Sequence, residues 1–165
     1  METTTLLRFM ELAAYQAVAL DRFVEAQRAV SGAVRARDWE GLAKAVERAS
    51  ARAADVNAVE RDRRAAWEAL VAEAGLTADA SPYRASLAVP AEARMGFTDA
   101  CRTLRLSVMR ARIENESLAA FVDAQSSALS TVMEGLFPER KVKIYGKSGR
   151  TTAVESRPLV INAAL

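Results

Sequence analysis

The sequence predicts an all-α protein, an antiparallel bundle of three long helices with coiled-coil-like packing and an extended, flexible C-terminal tail. Hydrophobic residues make up 51% of the 165 residues, and only seven glycines and four prolines interrupt the chain. Much of the hydrophobic share is alanine, the strongest helix former. Apolar positions also recur at helical spacing in three long stretches, as in amphipathic helices that pack lengthwise.

The first helix is predicted to begin at a threonine cap among Thr3 to Thr5 and to end near Arg37. Its apolar residues form two neighbouring stripes, and a face this broad can contact two helices at once. One stripe contains Leu6, Met10, Ala13, Ala17, Leu20, Val24 and Val34. The other contains Phe9, Leu12, Ala19, Phe23, Ala26, Val30 and Ala33. This arrangement favours a bundle over a two-stranded coiled coil.

The second helix is predicted to start after Asp38, a good N-cap, with Glu40 near its positive end and Trp39 anchoring the corner. It runs to about Ala74 and ends at Gly75, because glycine is the usual residue just past a helix. Its expected core face contains Leu42, Val46, Ala49, Ala53, Val56, Trp67 and Leu70.

Charged residues at 60–64 interrupt this face, and we expect a solvated turn there with pairs such as Glu60–Arg64. The stretch from Leu76 to Val89 contains Ser81-Pro82 and is predicted to be a loop joining helices two and three. Pro90 then suits the first turn of the third helix.

The third helix carries the longest pattern, in which twelve core-type positions alternate in steps of four and three. They are Phe97, Cys101, Leu104, Val108, Ala111, Asn115, Leu118, Val122, Gln125, Leu129, Val132 and Leu136. A period of 3.5 indicates a long helix packed lengthwise on other helices. Asn115 and Gln125 are its polar members. They either pair internally and fix the register, or mark a partly open face on which Asn115 receives a partner helix.

The pattern stops at Phe137-Pro138, so residues 1–137 are predicted to be the helical bundle and residues 138–165 a basic, flexible tail. The tail holds six Lys or Arg against two Asp or Glu. Of the overall net charge of +2, the tail therefore contributes +4 and the body −2.

Several kinds of chemistry are excluded by the residues present. The sequence has no histidine, and hence no histidine base, imidazole metal ligand or Ser-His-Asp triad. Cys101 is the single cysteine and cannot form an internal disulfide or a structural zinc site. Its place on the stripe predicts a small core residue, with a reactive thiol as the alternative. Gly146-Lys147-Ser148 lacks the earlier glycine of a P-loop, since that position is Lys141. We therefore expect that the protein is not an enzyme and that it binds neither a cofactor nor a metal.

The chain is expected to be soluble and cytoplasmic. Its first residues do not resemble a secretory signal. The longest apolar run, Leu118 to Val122, is far shorter than the roughly 20 residues that span a bilayer. Basic residues around Tyr145 could touch nucleic acid, but the acidic body contains no nucleic-acid recognition fold, so a protein partner is favoured.

Two stretches connect the chain to a known family. Residues 144–149 read Ile-Tyr-Gly-Lys-Ser-Gly, and residues 112–118 read Arg-Ile-Glu-Asn-Glu-Ser-Leu. In this the chain resembles the FlgN family, cytoplasmic export chaperones for the flagellar hook–filament junction proteins. Family tails often read Leu-Tyr-Gly-x-x-Gly, and the last helix often shows Asn-x-x-Asn before leucines. Arg112 stands here in place of the first Asn, and Ala119 in place of one leucine.

The resemblance implies a chaperone that binds the C-terminal helical segment of hook–filament junction proteins, prevents premature assembly and delivers them to the cytoplasmic domain of the export gate. By helix-in-groove recognition, the expected client-binding residues are Asn115, Leu118, Val122, Leu129, Val132 and Leu136. Tyr145, flanked by Gly146 and Gly149, would dock on the export gate, because tyrosine combines an apolar ring with a hydroxyl.

Three other readings stay open. A basic-tailed nucleic-acid accessory protein would show steep salt dependence, lost on truncation after Pro138. A structural subunit would self-assemble through the stripe of the third helix, and a homodimer is left open. A secretion chaperone for other clients would share the same fold.

Overall fold

The structure is a computed structural model that describes residues 3–136, with side chains for residues 4–133, and it is helical. The helices are α1 (Thr3–Ala36), α2 (Trp39–Glu73), α3 (Pro82–Ala88) and α4 (Ala91–Leu136). No strand occurs between residues 3 and 136. The all-α class is therefore confirmed, whereas residues 3–136 contain four helices, three long and one short, instead of the expected three.

The additional helix is α3, which lies within the stretch that was expected to be a loop. The Ser81 hydroxyl accepts a hydrogen bond from the Arg84 backbone N–H at 3.3 Å, and Pro82 occupies the first turn. Proline is favoured there, because the first turn needs no N–H from it. Ala85 is buried against the core. Pro82 therefore begins a short helix instead of marking a loop.

The beginning of α2 confirms the predicted cap, because the Gly41 N–H donates to Asp38 Oδ1 at 2.9 Å. A side chain at Gly41 would collide with the Asp38 carboxylate, so the close approach requires glycine. Trp39, expected to anchor this corner, is instead 67% exposed. The expectation was wrong, since Asp38 and the backbone make the turn without the indole ring.

Both long helices that precede α3 end in the same left-handed turn. After α2, Gly75 has φ 65°, as predicted, and the Leu76 N–H donates to the Val71 carbonyl at 2.9 Å. After α1, Arg37 has φ 57°, and the Asp38 N–H donates to Ala33 at 3.0 Å. These six-to-one bonds satisfy carbonyls that the helix leaves unpaired. A non-glycine residue adopts this conformation at some cost.

Helices α1 and α2 are antiparallel, because their contacts pair early residues of one helix with late residues of the other. Thr5 Oγ1 donates to Glu73 Oε1 at 2.6 Å, near the start of α1 and the end of α2. Farther along α1, the Arg63 guanidinium donates from Nε to Oε1 of the buried Gln16 at 2.5 Å. Desolvation lowers the pKa of Arg63 from its ordinary value.

Residues 60–64 lie within α2, and Arg61, Asp62 and Arg64 are exposed, as expected for a solvated turn of this helix. The expected pair is present, with Arg64 Nη2 3.5 Å from Glu60 Oε1. Pairs spaced by four residues stabilise a helix.

Up to Asn115, α4 runs parallel to α1, since the sequence separation of their contacts stays nearly constant. The Phe9 and Phe97 ring centroids are 5.6 Å apart, and Arg110 Nη1 lies 3.4 Å from Asp21 Oδ1. Arg28 Nε also pairs with Glu114 Oε2 at 3.0 Å. The up-down-up order of the three long helices follows from these two sets of contacts.

Two clusters of buried side chains form the core. The first contains Leu6, Phe9, Ala13, Leu70, Val71, Ala80, Ala85, Val89 and Phe97. The second contains Leu20, Phe23, Val24, Ala53, Val56 and Ala111. Both predicted stripes of α1 are buried or half-buried, which confirms the broad face. On α2, Val46 departs from the prediction and is exposed.

The chain divides into two units, of which the first contains residues 1–115 and the second begins at residue 116. Both core clusters belong to the first unit. The described part of the second unit is residues 116–136, the last part of α4.

Candidate protein-binding site

The described part of the second unit exposes large apolar side chains in solvent. The exposed fractions are 63% for Leu129, 55% for Val132, 49% for Met133 and 39% for Val122. Leu118 is half-buried. Single exposed apolar residues are ordinary on a protein surface, but a contiguous group marks an interaction site.

These positions lie on one face of the helix. Leu129 is followed by Val132 and Met133 at three and four residues, and Val122 precedes it by seven. At 3.6 residues per turn, these spacings bring the side chains into one stripe, the pattern by which one helix docks on another. Met133 belongs to this stripe but was missed by the sequence reasoning, which followed a strict period of 3.5. We call Val122, Leu129, Val132 and Met133 the apolar face.

The charges of this part of α4 have one sign. Between residues 116 and 136 the sequence holds Glu116, Asp123 and Glu134 and neither lysine nor arginine. We call residues 116–136 the acidic segment. These three positions fall on one side of the helix, away from the apolar face, because they are separated by close to whole numbers of turns. The acidic segment is thus an amphipathic helix with one apolar and one acidic side.

Asn115, predicted to be a polar marker of the client site, lies in the first unit, and Gln27 on α1 donates from Nε2 to Asn115 Oδ1 at 3.0 Å. Gln27 itself is buried. This geometry matches the reading in which Asn115 pairs internally and fixes the register of α4 on α1. Gln125, the other polar stripe member, is exposed.

The remaining predicted residues fall outside the described part of the chain. The Leu136 side chain does so, although its backbone ends α4. Tyr145, Gly146 and Gly149, the predicted docking element for the export gate, also lie outside the described residues. These assignments stay predictions.

Cys101 is partly buried in the first unit. Burial raises the pKa of its thiol to about 11, and the nearby Arg63 opposes this shift only in part. Because the thiolate is the nucleophile, a protonated thiol of this kind is unreactive at neutral pH. The geometry therefore favours the core-residue reading over the reactive thiol.

The rest of the described chain carries little that points to other chemistry. Residues 3–136 contain no group of three or more acidic or cysteine side chains that could hold a metal ion. Over the same residues, each helix is too short or too polar to cross a bilayer.

The family model described as FlgN protein matches residues 1–153. The chain belongs to the FlgN family. FlgN proteins are flagellar export chaperones and not enzymes. The exposed apolar helix therefore occurs in a family that functions by binding other proteins. The FlgN match covers both stretches on which the resemblance was based, residues 112–118 and residues 144–149. Neither the curated proteins nor the solved structures that were compared include a match.

Proposed function

We propose that this chain is a cytoplasmic export chaperone that binds the C-terminal helical segment of hook–filament junction proteins. Bound to the chaperone, the client would be prevented from assembling early and would be delivered to the flagellar type III export gate. The proposed client site comprises Leu118, Val122, Leu129, Val132 and Leu136, to which Met133 is now added, with Asn115 at its border.

The exposed apolar face is the observation that carries this proposal. A client helix with apolar anchors every three or four residues would cover Leu129, Val132 and Met133 and remove them from water. Burial of apolar area is worth about 25 cal/mol per Å² before the costs of association are subtracted. Asn115 would support the client site indirectly, because its bond to Gln27 holds the part of α4 up to residue 115 in register on α1.

The test is binding of a synthetic peptide with the C-terminal sequence of a hook–filament junction protein, measured by calorimetric titration. Leu129→Glu with Val132→Glu should abolish binding, because two carboxylates would be buried against an apolar partner. The matched control is Ser127→Glu with Thr131→Glu, which adds the same charge to the opposite, exposed side of the helix. This control should bind like the wild type.

Circular dichroism of both variants separates a binding surface from a core. Retained helicity with lost binding supports the client site on the apolar face. A collapse of helicity in the Leu129/Val132 variant alone would show that these side chains are core and that the site lies elsewhere.

We also propose that Tyr145, with Gly146 and Gly149, docks the loaded chaperone on the export gate. Tyr145→Ala should reduce secretion of the client from flagellated cells without weakening peptide binding. Normal secretion by this variant would overturn the docking role while leaving the client site intact.

A further inference from the structure

An apolar groove with an arginine rim lies in the first unit, between α2, α3 and the early part of α4. Its volume is about 960 Å³. Its apolar wall includes Trp67, Val108 and Met109, and three arginines line it, namely Arg63, Arg102 and Arg105. None of the described residues that line it is Asp or Glu. We call this surface the arginine groove.

Two of the three arginines are available to a partner. Arg102 and Arg105 are exposed, and neither forms an ion pair with another described residue. Arg63 is already bonded to Gln16. A groove of this kind attracts an amphipathic helix whose net charge is negative, because positive and negative surfaces select each other.

The chain itself contains such a helix. The acidic segment combines the apolar face with Glu116, Asp123 and Glu134 and holds no cation. The lengths also agree closely, because the groove follows α4 from Phe97 to Met109 and the apolar face runs from Val122 to Met133. These intervals of twelve and eleven residues each correspond to roughly 17 Å of helix. The chain's own tail is a poor occupant, since six Lys or Arg against two carboxylates would be repelled.

We propose that the acidic segment of one copy of this chain lies in the arginine groove of a second copy. The inference rests on the proposed function in one respect, because it covers the same apolar face that is proposed to bind the client. Self-association would then protect this face from water until a client helix displaces the second copy. A contact of about three helical turns is small, so the association is weak and is held partly by charge.

Sedimentation equilibrium of the full chain, from low to high micromolar concentration, tests the contact. The mass should rise above the 17.9 kDa of one chain as concentration increases, and less so at high salt. Arg102→Glu with Arg105→Glu should raise the dissociation constant by about tenfold or more. The matched control is Arg48→Glu with Arg61→Glu, two exposed α2 positions outside the groove, and it should associate like the wild type.

A mixing experiment identifies the occupant. Asp123→Arg with Glu134→Arg should weaken self-association to a similar extent. Mixed with the Arg102/Arg105 variant, however, it should form a complex, because its unchanged groove can accept the unchanged acidic segment of the other variant. Failure of the mixture to associate would overturn the acidic segment as occupant. A constant mass of one wild-type chain, or normal association of the Arg102/Arg105 variant, would overturn the proposal outright.

Client binding separates this inference from the proposed function. The Arg102/Arg105 variant should bind the client peptide at least as well as the wild type, because the client face is unchanged and no longer covered. Wild-type assemblies should dissociate when client peptide is added. Persistence of the assembly with client bound would overturn the shared use of the apolar face, whereas client binding alone would stand.

Discussion

The two parts of α4 have similar sequence patterns and different surroundings. Up to Asn115 the stripe is buried or half-buried, with Phe97 and Ala111 fully covered. From Val122 onward its described members are exposed, including Leu129 and Val132. A heptad-like pattern therefore predicts that a helix face will be covered, but not by what. In the first part the cover is α1 and α2, and in the second part we propose a partner.

The largest difference between the two parts should appear on truncation of Phe97. This ring is 0% exposed and packs on Phe9 at 5.6 Å between centroids. Phe97→Ala should lower the free energy of unfolding by about 3–5 kcal/mol, because it leaves a cavity between α1 and α4. Equilibrium unfolding in urea measures this loss. A loss below about 1 kcal/mol would show that the ring is not a core residue.

Cysteine reactivity gives a second contrast. With a thiol pKa near 11 instead of 9.0, Cys101 holds about a hundredfold less thiolate at mildly alkaline pH. Iodoacetamide should therefore label Cys101 slowly. A cysteine introduced as Leu129→Cys in a Cys101→Ser background should be labelled at an ordinary rate. Equal rates would contradict the difference in burial.

The same shift predicts a pH dependence of stability. The folded pKa of the thiol is raised, so its contribution to stability is complete below about pH 9 and is lost as pH rises toward about 11. Urea unfolding over this interval should show a steeper decline for the wild type than for Cys101→Ser.

The fold was predictable from sequence where local chemistry decides the structure. Asp38 caps the start of α2 with its carboxylate, and Gly75 ends α2 because glycine adopts a positive φ without a Cβ clash. The stripes of α1 are covered as their spacing indicates. Arg37 was not predictable as a left-handed residue, because the bonds around it, not its own preference, set the turn. The helix that begins at Pro82 was predicted to be a loop, because proline is common both in loops and in the first turn of a helix.

The candidate site was predictable only in part, for a different reason. Internal and external partner helices impose the same spacing, so the sequence pointed to Asn115 and Leu129 alike. The structure separates them, since Asn115 is bonded to Gln27 and Leu129 is exposed. Met133 was overlooked because a period of 3.5 places the next position at Leu136.

The Gln27–Asn115 bond lies where covered and exposed parts of the stripe meet. Asn115→Ala should cost about 1–3 kcal/mol of unfolding free energy, since the buried Gln27 amide loses its acceptor. Gln27 Oε1 already has no hydrogen-bond partner among the described residues. Gln27→Leu with Asn115→Leu should cost less than Asn115→Ala alone, because both unmet polar groups are removed. A double variant that loses as much as Gln27→Leu and Asn115→Leu summed would mean that the pair is not coupled.

The smallest effect on stability is expected for Leu129→Ala, and its size decides whether the comparison holds. Leu129 is 63% exposed, so its truncation should change the unfolding free energy by less than about 0.5 kcal/mol. Leu104→Ala removes the same atoms from a half-buried position packed on both core clusters and should cost about 1–3 kcal/mol.

The wild type must be measured at a concentration where it sediments as a single chain, because a second copy on the apolar face would add its own stabilisation. If Leu129→Ala is neutral for a single chain but destabilising at high concentration, Leu129 is covered by another copy. Equal losses for Leu104→Ala and Leu129→Ala at every concentration would mean that the second part of α4 is as well covered as the first within one chain.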